Sequence, residues 1–185
     1  MMKLTPLLLC GTALLAATLT CQAGSLDLNL SDEAVQFEGA GEIAPGIALG
    51  AGVLDSDDRG DTTEGHVQLL GVDRNSRYDM GLGARWTQLD TDFGDGGGLG
   101  LGGYGYAYVP SLPAMSVGGY AFYTPDVATA GDLEDSAEYG VRARYAFAPN
   151  VDGYVGYRRL RGDFDGTGGA RTLDSGANIG VRLNF

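Results

Sequence analysis

The chain ends on Ala177-Asn178-Ile179-Gly180-Val181-Arg182-Leu183-Asn184-Phe185, in which every second residue is apolar and the last is aromatic. Successive side chains of a strand point to opposite faces. Ala177, Ile179, Val181, Leu183 and Phe185 therefore form one continuous apolar face, and Asn178, Gly180, Arg182 and Asn184 form the other. Such a strand separates oil from water. In a transmembrane barrel the oil is lipid, the wet side is the lumen, and a terminal phenylalanine falls where the aromatic girdle of the periplasmic interface lies. Ile179, Val181, Leu183 and Phe185 then read as the C-terminal assembly strand, the part offered to the barrel assembly machinery. A sandwich strand at a chain end would alternate in the same way, so the remainder of the sequence has to decide.

At the other end, Met1 to Lys3 carries one positive charge, Leu4 to Leu19 is almost wholly apolar, and Cys21-Gln22-Ala23 offers small residues around a cut. This is the pattern of a secretory signal peptide. The apolar stretch is short, and it is followed at once by a polar segment, which argues against a membrane-spanning helix. The expected organisation is a leader, residues 1–23, and one domain, residues 24–185. Both cysteines, Cys10 and Cys21, leave with the leader, so the mature chain enters an oxidising compartment without a disulfide or a thiolate metal ligand. Lys3 is the only lysine, and beyond it arginine alone faces 24 acidic residues. That charge excludes nucleic acid as a partner class.

No mature segment has a helical pattern or an apolar run able to cross a bilayer, so a membrane location requires a closed β-barrel. Long separators rich in Asp and Gly, at 55–64, 90–98, 125–135 and 163–171, alternate with short ones at 44–46, 73–77, 109–114 and 149–152. Three of the short ones carry proline, which suits a turn and not a ladder. Long loops on one side and short turns on the other is the asymmetry of outer-membrane barrels. Between the separators lie eight strands, at 47–54, 65–72, 78–89, 99–108, 115–124, 136–147, 153–161 and 172–185. The segment 25–43 splits into two further alternating runs around Ser31-Asp32-Glu33. The expected fold is an all-β, closed antiparallel transmembrane β-barrel of ten strands, or of eight if 25–43 forms a plug or tail.

Tyr78, Met80, Leu82, Ala84 and Trp86 alternate with Gly81, Gly83, Arg85 and Thr87; Tyr139, Val141, Ala143, Tyr145 and Phe147 alternate with Glu138, Gly140, Arg142 and Arg144. Arginine interleaved with glycine suits a narrow lumen, where glycine leaves room and arginine meets carboxylates. Glu38, Glu42, Arg85, Glu138, Arg142, Arg144, Arg158, Asp174 and Arg182 are accordingly expected to point inward as a polar network. The pattern alone leaves open which way Tyr104, Tyr106 and Tyr108 face. Tyr78, Trp86, Tyr123, Tyr145, Tyr157 and Phe185 fall near segment ends, at girdle positions.

The chain resembles the YfaZ family of small bacterial outer-membrane proteins in Ser25-Leu26-Asp27-Leu28-Asn29-Leu30, in the Tyr123-Thr124-Pro125-Asp126-Val127 corner, in Gly156-Tyr157-Arg158-Arg159, and in Gly180-Val181-Arg182-Leu183-Asn184-Phe185. The resemblance implies an outer-membrane β-barrel and no settled biochemical activity.

Chemistry is weighed against this. His66 is the only histidine, and its neighbours Gly65, Val67 and Gln68 include no serine at the spacing of a lipid hydrolase, so it is expected to be a strand residue near the extracellular rim. A lone histidine among carboxylates lacks the usual zinc ligand set. Asp90-Thr91-Asp92-Phe93-Gly94-Asp95-Gly96 approaches a calcium loop but has its third acid one position late and no closing glutamate. The two Arg-Gly-Asp triplets, at Arg59 and Arg161, are coincidence in so Arg-, Gly- and Asp-rich a chain. No catalytic residue, cofactor or metal is expected.

The expected role is a structural or envelope protein with a filled lumen. Its acidic loops would share divalent cations with lipopolysaccharide phosphates, and Arg59, Arg161 and Arg171 would bond phosphate directly. A narrow pore with an anion preference, and a surface adhesin or receptor acting through the loops, are the alternatives. The expected location is the outer membrane of a Gram-negative bacterium.

Overall fold

Each long strand of this chain pairs on both sides, and that closes the sheet into a ring. The computed structural model describes residues 23–166 and 168–185; the expected leader lies outside them apart from Ala23. The strands are β1 Gly24–Leu30, β2 Ala34–Ala44, β3 Ile47–Ser56, β4 Thr62–Arg74, β5 Tyr78–Thr91, β6 Gly94–Val109, β7 Leu112–Thr124, β8 Thr129–Gly131, β9 Leu133–Ala148, β10 Val151–Phe164 and β11 Arg171–Asn184. All pairings are antiparallel. The ring runs β1 to β7, then β9 to β11, and closes where Leu28 of β1 faces Val181 of β11. The segment 25–43 therefore supplies two wall strands, which makes ten and not eight. The short β8 follows a single 3₁₀ turn, Asp126–Ala128, and continues the β6 ladder at Gly96–Gly98 beyond the end of β7.

The described chain begins and ends at the same end of the barrel, where Gly24 and Phe185 exchange two backbone hydrogen bonds of 2.7 and 2.9 Å. At this termini end the strands turn at Pro45-Gly46, 75–77, Pro110-Ser111 and Pro149-Asn150. Gly46 takes φ +73°, which a side chain would resist. The opposite, loop end holds 31–33, 57–61, 92–93, 125–132, 165–166 and 168–170.

The loops are shorter than the sequence separators predict. Of 90–98, only Asp92 and Phe93 leave the ladder, with Asp90 facing Asp95 and Thr91 facing Gly94; of 55–64, only 57–61 do. Ladder bonds form between backbones whatever the side chains are, so Asp- and Gly-rich segments extend the wall past its apolar belt. The calcium-like stretch is thus a tight hairpin, in which Thr91 Oγ1 donates to Gly94 O (2.9 Å) and accepts from Phe93 N (3.1 Å). Pro113, expected in a turn, stands in β7, beside the irregular register at Tyr108 and Val109. A missing donor costs little there.

The two faces are inverted relative to a soluble protein. Leu82, Leu101, Val141 and Ile179 are 61–70% exposed on the outside, whereas Arg158, Glu64, Asn29 and Asp174 are almost fully buried inside. Tyr145 stacks edge to face on Phe147 (5.2 Å) and, with Phe185, marks the termini-end rim; Trp86, Tyr123 and Tyr139 stand in the loop-end halves of their strands, and Tyr157 lies midway along β10. Such a surface is solvated by acyl chains.

Inside, the contiguous apolar cluster lies at the loop end. Ala34, Leu54, Leu89, Leu133, Leu160, Phe164 and Leu173 form one buried cluster, with Phe93 against it. Every member sits at the loop end of its strand, so together they cap the bore. Leu160→Ala should lower stability by about 2–5 kcal/mol, because a fully enclosed leucine leaves a cavity. Leu101→Ala on the lipid face should cost clearly less, since acyl chains fill the gap. Urea unfolding in phospholipid vesicles checks both, and equal losses would contradict an apolar cap.

Candidate functional site in the lumen

Beneath the apolar cap the bore is filled by polar side chains that alternate with the lipid-facing ones. Directly below it lies Arg158, 1% exposed on β10. Its Nε donates to Asp174 Oδ2 of β11 (2.7 Å) and its Nη1 to Gln36 Oε1 of β2 (2.9 Å) and, at 3.4 Å, to Asn29 Oδ1 of β1. Ser56 Oγ occupies the other oxygen of Asp174 at 2.9 Å. One guanidinium thus ties together strands from both sides of the seam between first and last strand.

The next layer centres on Arg85. Its Nε and Nη2 fork onto Gln68 Oε1 (3.2 and 2.9 Å), its Nη1 bonds Glu138, and its plane lies 3.6 Å from the centroid of Phe122. Gln68 Nε2 donates to Glu38 (3.1 Å), and Tyr120 OH donates to the second oxygen of Glu138 (2.9 Å). His66 belongs to this layer, with Nδ1 3.2 Å from Glu64 and Nε2 3.6 Å from Glu38. It is 3% exposed. The sequence expectation of a rim position is corrected here: four residues of β4 separate His66 from the loop, and alternation turns its ring inward between two carboxylates.

Nearer the termini end, Asp27 takes Arg182 Nε (2.9 Å) and the Tyr154 hydroxyl, with Arg142 Nη1 at 3.7 Å. Arg142 lies 4.5 Å from the Tyr154 ring centroid, and Arg144 lies 3.1 Å from that of Tyr106. Asp79 Oδ1 accepts from Arg74 Nε (3.1 Å) and Tyr104 OH (3.0 Å). Glu42 stands 3.8 Å from Arg74 at the mouth.

Tyrosines fit this bore because glycine stands across from them. Tyr104 faces Gly81, Tyr120 faces Gly140 and Tyr154 faces Gly180 in the ladders. A Cβ on those glycines would come within 2.6, 2.7 and 2.2 Å of the rings. Tyr104 and Tyr106, ambiguous in sequence, point inward, and Tyr108 borders the termini-end opening.

All nine polar residues singled out from sequence line the bore, but three separate layers hold them. Sequence reading missed Asp27, Asn29, Gln36, Glu64, Gln68 and Asp79, although all but Glu64, which stands between Thr63 and Gly65, alternate with apolar residues in the same way: Asp27 and Asn29 lie between Leu26, Leu28 and Leu30.

Removing one member of the deepest pair strands the other in a dry site. Arg158→Met should lower stability by about 3–5 kcal/mol, with much of the loss recovered in Arg158→Met/Asp174→Leu. Gly180→Ala should cost about 1–3 kcal/mol by displacing Tyr154. Urea unfolding in vesicles measures each; a single Arg158 variant as stable as the parent would remove the pair from the stabilising network.

A search of curated proteins found no match. Among solved structures, the chain is similar to the KdgM porin, with TM-score 0.48 and 13% identity over 88% of this chain and 99% of that one. It is also similar to OmpT, an outer membrane protein of Vibrio cholerae (TM-score 0.42, 13% identity, 87% of this chain and 64% of that one). Neisserial surface protein A gives TM-score 0.40 and 14% identity over 88% of this chain and 94% of that one. The alternation legible in the last strand runs through a chain that belongs, over residues 1–185, to the YfaZ precursor family.

Proposed function

We propose that this outer-membrane β-barrel is a structural, envelope-related protein with a closed lumen, whose acidic loop end faces lipopolysaccharide. The observation that carries the reading is the apolar cap, backed by the Arg158–Asp174 layer beneath it. An ion moving along the bore would have to shed its water against Leu54, Leu89, Leu160, Phe164 and Leu173, none more than 1% exposed. Hydrocarbon offers no substitute for that hydration. On this reading the chain is not an enzyme.

Orientation follows from turn length: short turns and both termini face the periplasm, and the longer connections face outward. The outward end is strongly acidic. It carries Asp32 and Glu33; Asp55, Asp57, Asp58 and Asp61; Asp90, Asp92 and Asp95; Asp126, Asp132, Glu134 and Asp135; and Asp163 and Asp165. Among the described residues no group of three or more such side chains is arranged to hold a metal ion. Divalent cations would therefore bridge loop carboxylates to lipid phosphates and not sit in a protein cage. Arg59 is engaged by Asp58 (3.2 Å), and Arg171 lies 5.0 Å from the Phe93 ring. Both are rim cations able to meet phosphate.

Planar-bilayer recording tests the closed lumen, and no conductance steps are expected. Resolved anion-selective steps would overturn it in favour of a narrow pore. The rim is tested by pH. The carboxyl of Glu33 holds its proton above the ordinary carboxylate range, chiefly through a hydrogen bond with Asp58, with Asp32 and Asp57 adding repulsion. A raised folded-state value means that stability falls as pH rises through it. In neutral detergent at low salt, the melting temperature should drop between pH 4 and 7 and recover on adding magnesium. A melting temperature unaffected by magnesium would speak against cation bridging.

A further inference from the structure

Among the described residues the bore is closed at the loop end and open at the other, where a cavity of about 370 Å³ enters the barrel between the turns. Arg74, Arg144, Arg182, Asp79, Asp152 and Glu42 line it. Its volume falls at the lower end of the range for small-molecule sites, about 300–1,000 Å³. The carboxylates here already have partners. Glu42 faces Arg74, Asp152 accepts from Asn184 Nδ2 (3.0 Å), and Asp27, deeper in, takes Arg182.

Arg144, like Arg142, has its closest carboxylate beyond hydrogen-bond distance. It is 9% exposed, yet its Nε has no hydrogen-bond partner among the described residues. Its nearest carboxylate oxygen, Asp79 Oδ2, stands 3.8 Å from Nη1, too far for a hydrogen bond. One ring face, that of Tyr106, lies against the guanidinium plane. Arg144 lines the cavity with its side chain 10% exposed, and its closest carboxylate lies beyond hydrogen-bond distance, so its charge is only partly matched by the protein. Arg182 lines the same cavity, and Arg142 borders its inner end.

We propose that this cavity is a blind-ended binding site for a small water-soluble anion, one bearing a phosphate or carboxylate group, which enters from the termini end and is held by Arg144 with Arg182. Planar donors in a fork match such oxygens bidentately. The ring position of the mouth, framed by Pro113, Ala114, Ala146 and Pro149, gives access from water and not from the lipid-facing side of the wall. This goes beyond the closed-lumen reading: a protein that conducts nothing can still bind a solute from one side.

The experiment is isothermal titration of the purified barrel in neutral maltoside micelles at low ionic strength, with inorganic phosphate, glycerol 3-phosphate and, as the uncharged control, glycerol. Saturable one-to-one binding of both phosphates and none of glycerol is expected. Arg144→Met should weaken it at least tenfold, and Leu101→Ala, on the lipid-facing side of the wall, should leave it unchanged. Ala146→Trp narrows the mouth and keeps every arginine, so it should also abolish binding, and it decides the matter if Arg144→Met does not fold. Absence of saturable binding of either phosphate at tens of millimolar would overturn the proposal, as would variants that bind like the parent. Competition by phosphatidylglycerol added to the micelles would overturn the assignment to a free solute. Conductance, measured separately, bears on the closed lumen alone.

Discussion

Hydrocarbon offers no hydrogen bonds to a peptide group, and everything else in this structure follows from meeting that constraint. A sheet satisfies its interior strands and leaves two open edges; only closure removes them. Here closure depends on β1 pairing with β11, from Ser25 with Asn184 up to Leu30 with Ile179. The network beneath the cap reinforces that seam from inside. Arg158 of β10 reaches Asn29 and Gln36 across it, and Arg182 of β11 reaches Asp27 of β1. Backbone pairing fixes the register, and buried ion pairs penalise any slip, because a one-residue shift would turn arginine into lipid.

The lumen is graded along its axis. Apolar side chains close the loop end, closely paired ions such as Arg158–Asp174 and Arg85–Glu138 fill the middle, and more loosely paired ones surround a cavity near the termini. The order has a physical sense. Charges in the dry middle must be satisfied by protein, as Arg158 is by Asp174, Gln36 and Asn29; near the open end water reaches the groups, and Arg74 keeps half its side chain exposed. Arg144 breaks this rule, being buried like the middle layer and bonded less well than the rim.

The ring of alternating strands was legible from sequence because lipid outside and polar groups inside impose a period of two on every wall segment, clearest at Ala177–Phe185. Two things were not legible. Loop lengths were overestimated because Asp and Gly signal turns, whereas ladder bonds carry such residues past the membrane whenever both neighbours extend equally far, as at Asp90 and Asp95. The layering of the lumen was also hidden. Which arginine meets which carboxylate depends on strand tilt and on pairs far apart in sequence, such as Asp27 with Arg182, and no local pattern records them. His66 illustrates the point: its inward direction and its neighbour Glu64, two residues back on the same face of β4, follow from alternation, but Glu38 comes near only once β2 and β4 flank β3.

The exclusive use of arginine follows from the same geometry. Lys3 is the only lysine, and no described residue is one. In a bore this narrow a cation can pair with a carboxylate at its edge and lie against an aromatic ring with its face, as Arg85 does with Glu138 and Phe122. A planar guanidinium does both at once and is less strongly hydrated than an ammonium, which has no face to stack and loses more on drying. The glycines opposite Tyr104, Tyr120 and Tyr154 are the other half of that arrangement, since they clear the space in which the rings lie. Arginine, tyrosine and glycine are therefore one packing solution: a cation with two binding surfaces, a ring to receive one of them, and an empty position across the ladder that lets the ring lie flat.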